Sequence, residues 1–80
     1  MNKEMFKDLE TELLSKKSQH LHLGILKVKY LVVDKKITIA TAVYDKPDGK
    51  IVVMQGFAKR KKGDLYNEVV GKLLALSRLR

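Results

Sequence analysis

The tetrapeptide Lys46-Pro47-Asp48-Gly49 constrains the fold more than any other stretch of this chain. Proline fixes φ near the value that the second position of a β-turn requires, and glycine accepts the positive φ that follows. Runs rich in β-branched residues flank the turn, at Ile37–Tyr44 and at Lys50–Ala58. The pattern therefore predicts a β-hairpin in the middle of the chain.

A further strand is predicted before this hairpin. Leu21–Val33 is dense in Leu, Ile, Val and Tyr, and Asp34-Lys35-Lys36 after it is typical of a tight turn. The three strands together predict an antiparallel meander. Because neither face of the second and third strands is polar throughout, we expect both faces to be covered, by the helices or by a second copy of the chain.

Helices are predicted at both ends of the meander. Apolar residues recur at helical spacing in residues 3–16, where Phe6, Leu9 and Leu13 share one face. A second amphipathic pattern runs over residues 64–79, beginning at Gly63 or Asp64. The sequence thus predicts a single α+β domain over residues 1–80, in the order α-β-β-β-α.

The small size of the chain bears on its assembly. Eighty residues without a cysteine form a small core and no disulfide bond. Oligomerisation is a usual source of the missing stability, so we expect a homodimer. Acidic residues occupy the place where a signal peptide has its apolar core, and no apolar run is long enough to cross a bilayer, so we expect a cytoplasmic protein without a membrane partner.

The charge of the chain points to an anionic partner. Seventeen Lys and Arg against nine Asp and Glu give a net charge of +8. Four of these cations form the run Lys59-Arg60-Lys61-Lys62, which leads into the predicted final helix. The run is either a contact surface for phosphate groups or a solvated loop, and Phe57 and Tyr66 on its two sides are possible partners for a base.

One face of the final helix carries a second feature, the stripe Asn67, Gly71, Ala75 and Arg78. Glycine costs about 1 kcal/mol in a helix interior relative to alanine. Close packing of another backbone or of a ligand at Gly71 would offset this cost, and close packing within the protein is the favoured interpretation.

Catalytic patterns are lacking in the sequence. The three serines, Ser15, Ser18 and Ser77, lie in no nucleophile elbow, and no glycine-rich phosphate loop is present. His20 and His22 form an H-x-H pair with no third ligand in view. We therefore expect no enzyme activity, no cofactor and no metal.

The C-terminal part of the chain resembles small bacteriophage early proteins of the host-takeover and counter-defence kind. The resemblance rests on Gly56-Phe57-Ala58, the basic loop, Asp64-x-Tyr66, Gly71-Lys72, Ala75 and Arg78, and covers about a quarter of the chain. Some such proteins sequester signalling nucleotides and others are anti-CRISPR proteins that bind an effector complex. The resemblance implies phosphate contacts at Lys72 and Arg78, with Asn67 and Phe57 near a base, although Glu68 stands where a basic residue would be expected.

Two functions follow from these observations as hypotheses. The first is a non-enzymatic binding module that contacts nucleic acid or a nucleotide through Lys59, Arg60, Lys61, Lys62, Lys72 and Arg78. The alternative is a protein-binding inhibitor of a host enzyme or defence complex, in which the basic loop steers association toward an acidic groove.

Overall fold

The computed structural model describes residues 3–21, 23–61, 63 and 67–80, without the side chains of residues 17, 20 and 21. Its elements are α1 (Lys3–Leu21), β1 (Gly24–Val33), β2 (Ile37–Asp45), β3 (Ile51–Lys59) and α2 (Glu68–Ser77). The strands form one antiparallel sheet in the order β1-β2-β3. The predicted α+β fold with a three-stranded meander is confirmed.

Local turn chemistry sets both hairpins. At the second turn, the Gly49 amide donates to the Lys46 carbonyl at 2.9 Å, and Gly49 has a φ of 85°. At the first turn, Asp34 and Lys35 both have a φ of 52°, and the Lys36 amide donates to the Val33 carbonyl at 3.0 Å. Two consecutive residues with positive φ match the twist of the flanking strands, so this turn connects β1 and β2 tightly without a glycine.

Both helices pack on the same face of the sheet. The side chains of Thr38, Ala40, Ala42 and Tyr44 on β2 point to this face and are buried. Their neighbours in the core include Leu14 from α1 and Leu76 from α2. The helices therefore cover one face of the sheet only, and they do not provide the expected cover for the other face.

Small residues allow α2 to lie directly on the sheet. A Cβ atom at Gly56 would lie 1.9 Å from the Ala75 carbonyl oxygen, and one at Gly71 would lie 2.6 Å from Thr38 Oγ1. A Cβ atom at either distance would clash, so glycine, which has none, fits at both positions without a shift of the neighbouring atoms. The predicted close packing at Gly71 is confirmed, and the partner is the central strand.

Two tyrosines connect α1 to the sheet. The Tyr30 hydroxyl donates to the Glu10 carboxylate, and the Tyr44 hydroxyl lies 3.4 Å from the Leu14 carbonyl oxygen. Burial, together with the hydrogen bond to Glu10, raises the pKa of Tyr30 far above its usual value, and burial raises the pKa of Tyr44.

The C-terminus covers part of the outer edge of β3. Leu79 is fully buried, and Arg80 exchanges two backbone hydrogen bonds with Gln55, at 3.1 and 3.2 Å. Pairing of an edge strand protects its backbone groups from association with other chains.

Three element boundaries differ from the sequence prediction by three or more residues. The first helix continues beyond residue 16 to Leu21, because Lys, Ser and Gln in the polar segment sustain a helix without an apolar stripe. β1 consequently begins at Gly24 rather than Leu21. The predicted helix start at Gly63 or Asp64 is wrong, because Asn67 is extended (φ −132°, ψ 109°) and α2 begins at Glu68.

Neither α1 nor α2 packs on the opposite side of the sheet, here called the open face. Its apolar members include Leu31, Val53 and Phe57, which are 59%, 57% and 51% exposed. Strand register assigns the side chains of this face, which are Lys27, Lys29, Leu31 and Val33 on β1, Ile37, Ile39, Thr41, Val43 and Asp45 on β2, and Ile51, Val53, Gln55, Phe57 and Lys59 on β3.

Candidate anion-binding cleft

A cleft of about 240 Å³ lies where the turn end of the sheet meets the beginning of α2. We call it the basic cleft, because five of its lining residues are cationic and none of the described ones is acidic. The lining residues are Lys36, Thr38, Ala58, Lys59, Arg60, Lys61, Asn67, Val70, Gly71, Leu74 and Arg78.

The β1–β2 turn and the basic loop form one wall of this cleft. The Arg60 amide donates to the Lys36 carbonyl at 2.7 Å, which continues the pairing of β2 with β3 by one step. This bond holds Lys36 beside the loop residues. A second concavity, lined by Lys36, Lys59, Arg60, Lys61 and Gly63, extends the cationic surface.

The beginning of α2 forms the opposite wall. Asn67 Oδ1 accepts a hydrogen bond from the Val70 amide at 3.1 Å, so Asn67 is the N-cap of α2. The partial positive charge of a helix N-terminus adds to the potential from the surrounding cations. Sequence reasoning singled out Asn67 but did not identify it as the cap.

Arg78 is held in place by the sheet. Its Nη1 donates to the Phe57 carbonyl oxygen at 3.1 Å, across the edge of β3. A guanidinium has five N–H donors, so this bond leaves donors for a further acceptor. The stripe Asn67, Gly71 and Arg78 therefore lines the cleft, while Ala75 packs on Gly56.

Lys72 lies on another side of α2 and does not line the cleft. Its ammonium group is 2.9 Å from the Glu68 carboxylate. It also lies 5.1 Å from the centre of the Tyr30 ring and 5.9 Å from that of Phe6, within the range of cation–π interactions. The structure thus separates Lys72 from Arg78, which the resemblance had grouped as phosphate contacts.

Of the two aromatic candidates, only Phe57 is among the described residues. Phe57 points to the open face, away from the cleft. Tyr66 and Lys62 lie outside the described residues, so their predicted contacts stay predictions.

Sequence reasoning missed two polar cleft residues, Lys36 and Thr38. Lys36 was assigned only to a turn and Thr38 only to a strand. The register Ile37↔Lys59 brings both next to the basic loop. Correct pairing of the second and third strands would have identified Lys36, because antiparallel pairing places the start of one strand beside the end of the next.

Within the described residues, no helix has the length and apolar character to cross a membrane, and no cluster of three or more His, Asp or Glu side chains could hold a metal ion. Searches of protein-family models, curated proteins and solved structures give no match to this chain.

Proposed function

We propose that this protein is a non-enzymatic binding module that holds backbone phosphates of nucleic acid in the basic cleft. The observation that carries the proposal is that five cationic residues, from the first turn, the end of β3, the loop after it and the C-cap of α2, line one concave surface. Clustered cations of this kind bind phosphates and release counterions.

The dimensions of the cleft favour nucleic acid over an isolated nucleotide. Its volume of about 240 Å³ is below the roughly 300–1,000 Å³ of typical small-molecule sites. The adjoining concavity is larger, about 600 Å³, but none of its described lining residues is an apolar or aromatic residue that could hold a base. The cationic surface also continues into the second concavity along Lys59–Lys61. A phosphodiester chain fits an elongated cationic surface, whereas a nucleotide needs a deeper pocket for its base.

The lining also favours binding without sequence preference. None of the described lining residues is aromatic, and Phe57 points to the other side of the sheet. Base stacking and edge recognition need aromatic or extended polar side chains at the binding surface. Phosphate contacts provide affinity and position but do not read sequence.

The electrostatics of the α2 N-terminus support an anion at this site. Glu68 is in the first turn of α2, but its carboxylate pairs with Lys72 rather than with a cleft residue. In the cap itself, the Val70 amide donates to the neutral side-chain oxygen of Asn67, so the cap adds no negative charge. Negative charge from a phosphate is therefore stabilised by the helix end and by the cations.

A charge-matched pair of variants tests the proposal. Lys59→Gln/Arg60→Gln/Lys61→Gln and Lys3→Gln/Lys7→Gln/Lys16→Gln each remove three positive charges, the second set from exposed positions of α1. Binding of a labelled single-stranded oligonucleotide is measured by fluorescence anisotropy. We expect the loop variant to lose at least about tenfold in affinity and the α1 variant to lose about twofold. Equal losses would show that total charge, and not the cleft, determines binding.

A second candidate function rests on a different surface. The open face exposes several large apolar side chains, as expected of a protein-binding surface, and fits an inhibitor of a host enzyme or defence complex. A host target that binds the purified protein after nuclease treatment, and is lost with Phe57→Glu, would favour this function. The phage setting itself stays a prediction from the C-terminal resemblance.

A further inference from the structure

The open face is an exposed apolar surface on the side of the sheet opposite the two helices. Five of the ten exposed large hydrophobic side chains lie on it, namely Leu31, Val33, Ile51, Val53 and Phe57. The register aligns Leu31, Ile39 and Phe57 in one row across the sheet. Contiguous apolar surface of this kind on a small protein marks an interface.

The accessible surface area of the chain is larger than that of a typical folded monomer of the same mass. The accessible area is 5990 Å² for a mass of 9.1 kDa. A folded monomer of this mass exposes about 4,900 Å², so the excess is about 1,100 Å². A standard interface removes about 800 Å² from each partner, which is less than this excess for the whole chain. The radius of gyration, 13.2 Å, likewise exceeds the about 12 Å of a compact chain of this length.

We propose that a second copy of this chain covers the open face, forming a homodimer in which two sheets pack face to face with their strands parallel. In this arrangement the two-fold axis runs along β2, so β1 of one copy lies over β3 of its partner copy. The inference is independent of the proposed function.

The positions of the charged side chains select this arrangement. Lys27 and Lys29 lie on β1, at one border of the open face, and their mutual proximity lowers the pKa of Lys27. With strands parallel, these lysines lie over Val53 and Gln55 of the other copy, at the rim, where their ammonium groups reach water. With strands antiparallel, β1 would face β1, and four lysines would meet on one side.

The acidic residue of the open face is compatible with the same arrangement. Asp45 is in the last row of β2, and its carboxylate leans over Gly24 of β1, since a Cβ there would lie 2.1 Å from Asp45 Oδ1. The two-fold axis turns the two carboxylates in opposite directions, each toward its own β1. They are thereby kept apart at the end of the interface.

Sedimentation equilibrium and cross-linking test this dimer. Because the chain lacks cysteine, single cysteines introduced at Lys29 and Gln55 are unique labelling sites. A bismaleimide of about 10 Å span matches the distance between packed sheets. We expect a mixture of Lys29→Cys and Gln55→Cys proteins to cross-link efficiently and each protein alone to cross-link poorly. Self-linking of either protein alone would overturn the parallel arrangement.

The mass in solution, measured by sedimentation equilibrium, shows whether two copies of the chain associate. We expect the wild type to sediment at twice 9.1 kDa. Val53→Glu should weaken the dimer at least about tenfold, whereas Met5→Glu, at an exposed apolar position of α1, should not. A folded wild-type protein that stays monomeric up to about 0.1 mM would overturn the proposal and leave the open face to a foreign protein.

Discussion

Gly56 and Ala75 are so close that a Cβ atom on Gly56 would lie 1.9 Å from the Ala75 carbonyl oxygen. The backbone of α2 therefore rests on the backbone of β3 with no side chain between them. This contact fixes the distance between α2 and the sheet, and with it the width of the basic cleft.

Alanine at the two contact glycines should have unequal effects. Gly56→Ala meets backbone atoms that cannot move, so we expect a loss of more than about 3 kcal/mol in the free energy of unfolding. Gly71→Ala meets the Thr38 side chain, and the gain in helix propensity of about 1 kcal/mol offsets part of the cost. Urea denaturation measures the free energy of unfolding of both variants.

The Gly71 contact has its own control. In a double-mutant cycle, Thr38→Ala should reduce the cost of Gly71→Ala, because it removes the Oγ1 atom that lies 2.6 Å from the added Cβ. Strictly additive costs would contradict the assigned contact.

Substitution of the α2 cap should separate stability from binding. Asn67→Asp keeps an acceptor for the Val70 amide, so the protein should unfold at an unchanged or slightly higher denaturant concentration. The new carboxylate lines the basic cleft, so affinity for a single-stranded oligonucleotide should fall several-fold. Asn67→Ala is the control for the cap: it should cost about 1 kcal/mol of stability and leave affinity nearly unchanged. Unaltered affinity in Asn67→Asp would argue that no anion binds beside this helix end.

Lys72 should matter for stability rather than for binding. Lys72→Gln removes the ion pair with Glu68 and the cation over the Tyr30 ring, which should cost roughly 0.5–1 kcal/mol of unfolding free energy. Oligonucleotide affinity should change by less than about twofold, compared with a larger loss for Lys61→Gln. If Lys72→Gln reduced oligonucleotide affinity as much as Lys61→Gln, Lys72 would have to be counted among the binding residues.

Alkaline pH should destabilise the protein through its tyrosines. The pKa of Tyr30 and the pKa of Tyr44 are raised in the folded state, so the unfolded state releases these protons first as the pH rises. Their contribution to stability is fully present below about pH 10, the ordinary tyrosine pKa, and declines above it. Urea unfolding between pH 8 and pH 11 measures this decline. Tyr30→Phe should make it shallower, and an identical decline in that variant would contradict the role of Tyr30.

The sequence predicted the sheet well because its signals are local. The turn at Lys46–Gly49 and the turn at Asp34–Lys36 each carry their own conformational preference, and the strands between them follow. The helix ends were harder to predict. Residues 78–80 leave the helical path because Arg80 pairs with Gln55, a contact between segments distant in sequence.

Part of the basic cleft was predictable because some of its residues form local patterns in the sequence. The run Lys59–Lys62 and the stripe containing Arg78 are visible as patterns along the chain. Lys36 joins them only through strand register, and Lys72 is drawn away by Glu68 and by the rings of Tyr30 and Phe6. Charge alone could not distinguish a cation that pairs internally from one that lines a concave surface.

Chemical-shift mapping with a short nucleic acid tests directly whether phosphates bind in the basic cleft. Uniformly ¹⁵N-labelled protein is titrated with an oligothymidylate of about ten nucleotides, within the span of typical single-strand sites. We expect the largest amide shifts at Lys36, Arg60, Lys61, Asn67 and Arg78, and we expect them to diminish as salt is raised. Shifts centred on the open face at Leu31, Val53 and Phe57, or no shifts at low salt, would contradict phosphate binding in the basic cleft.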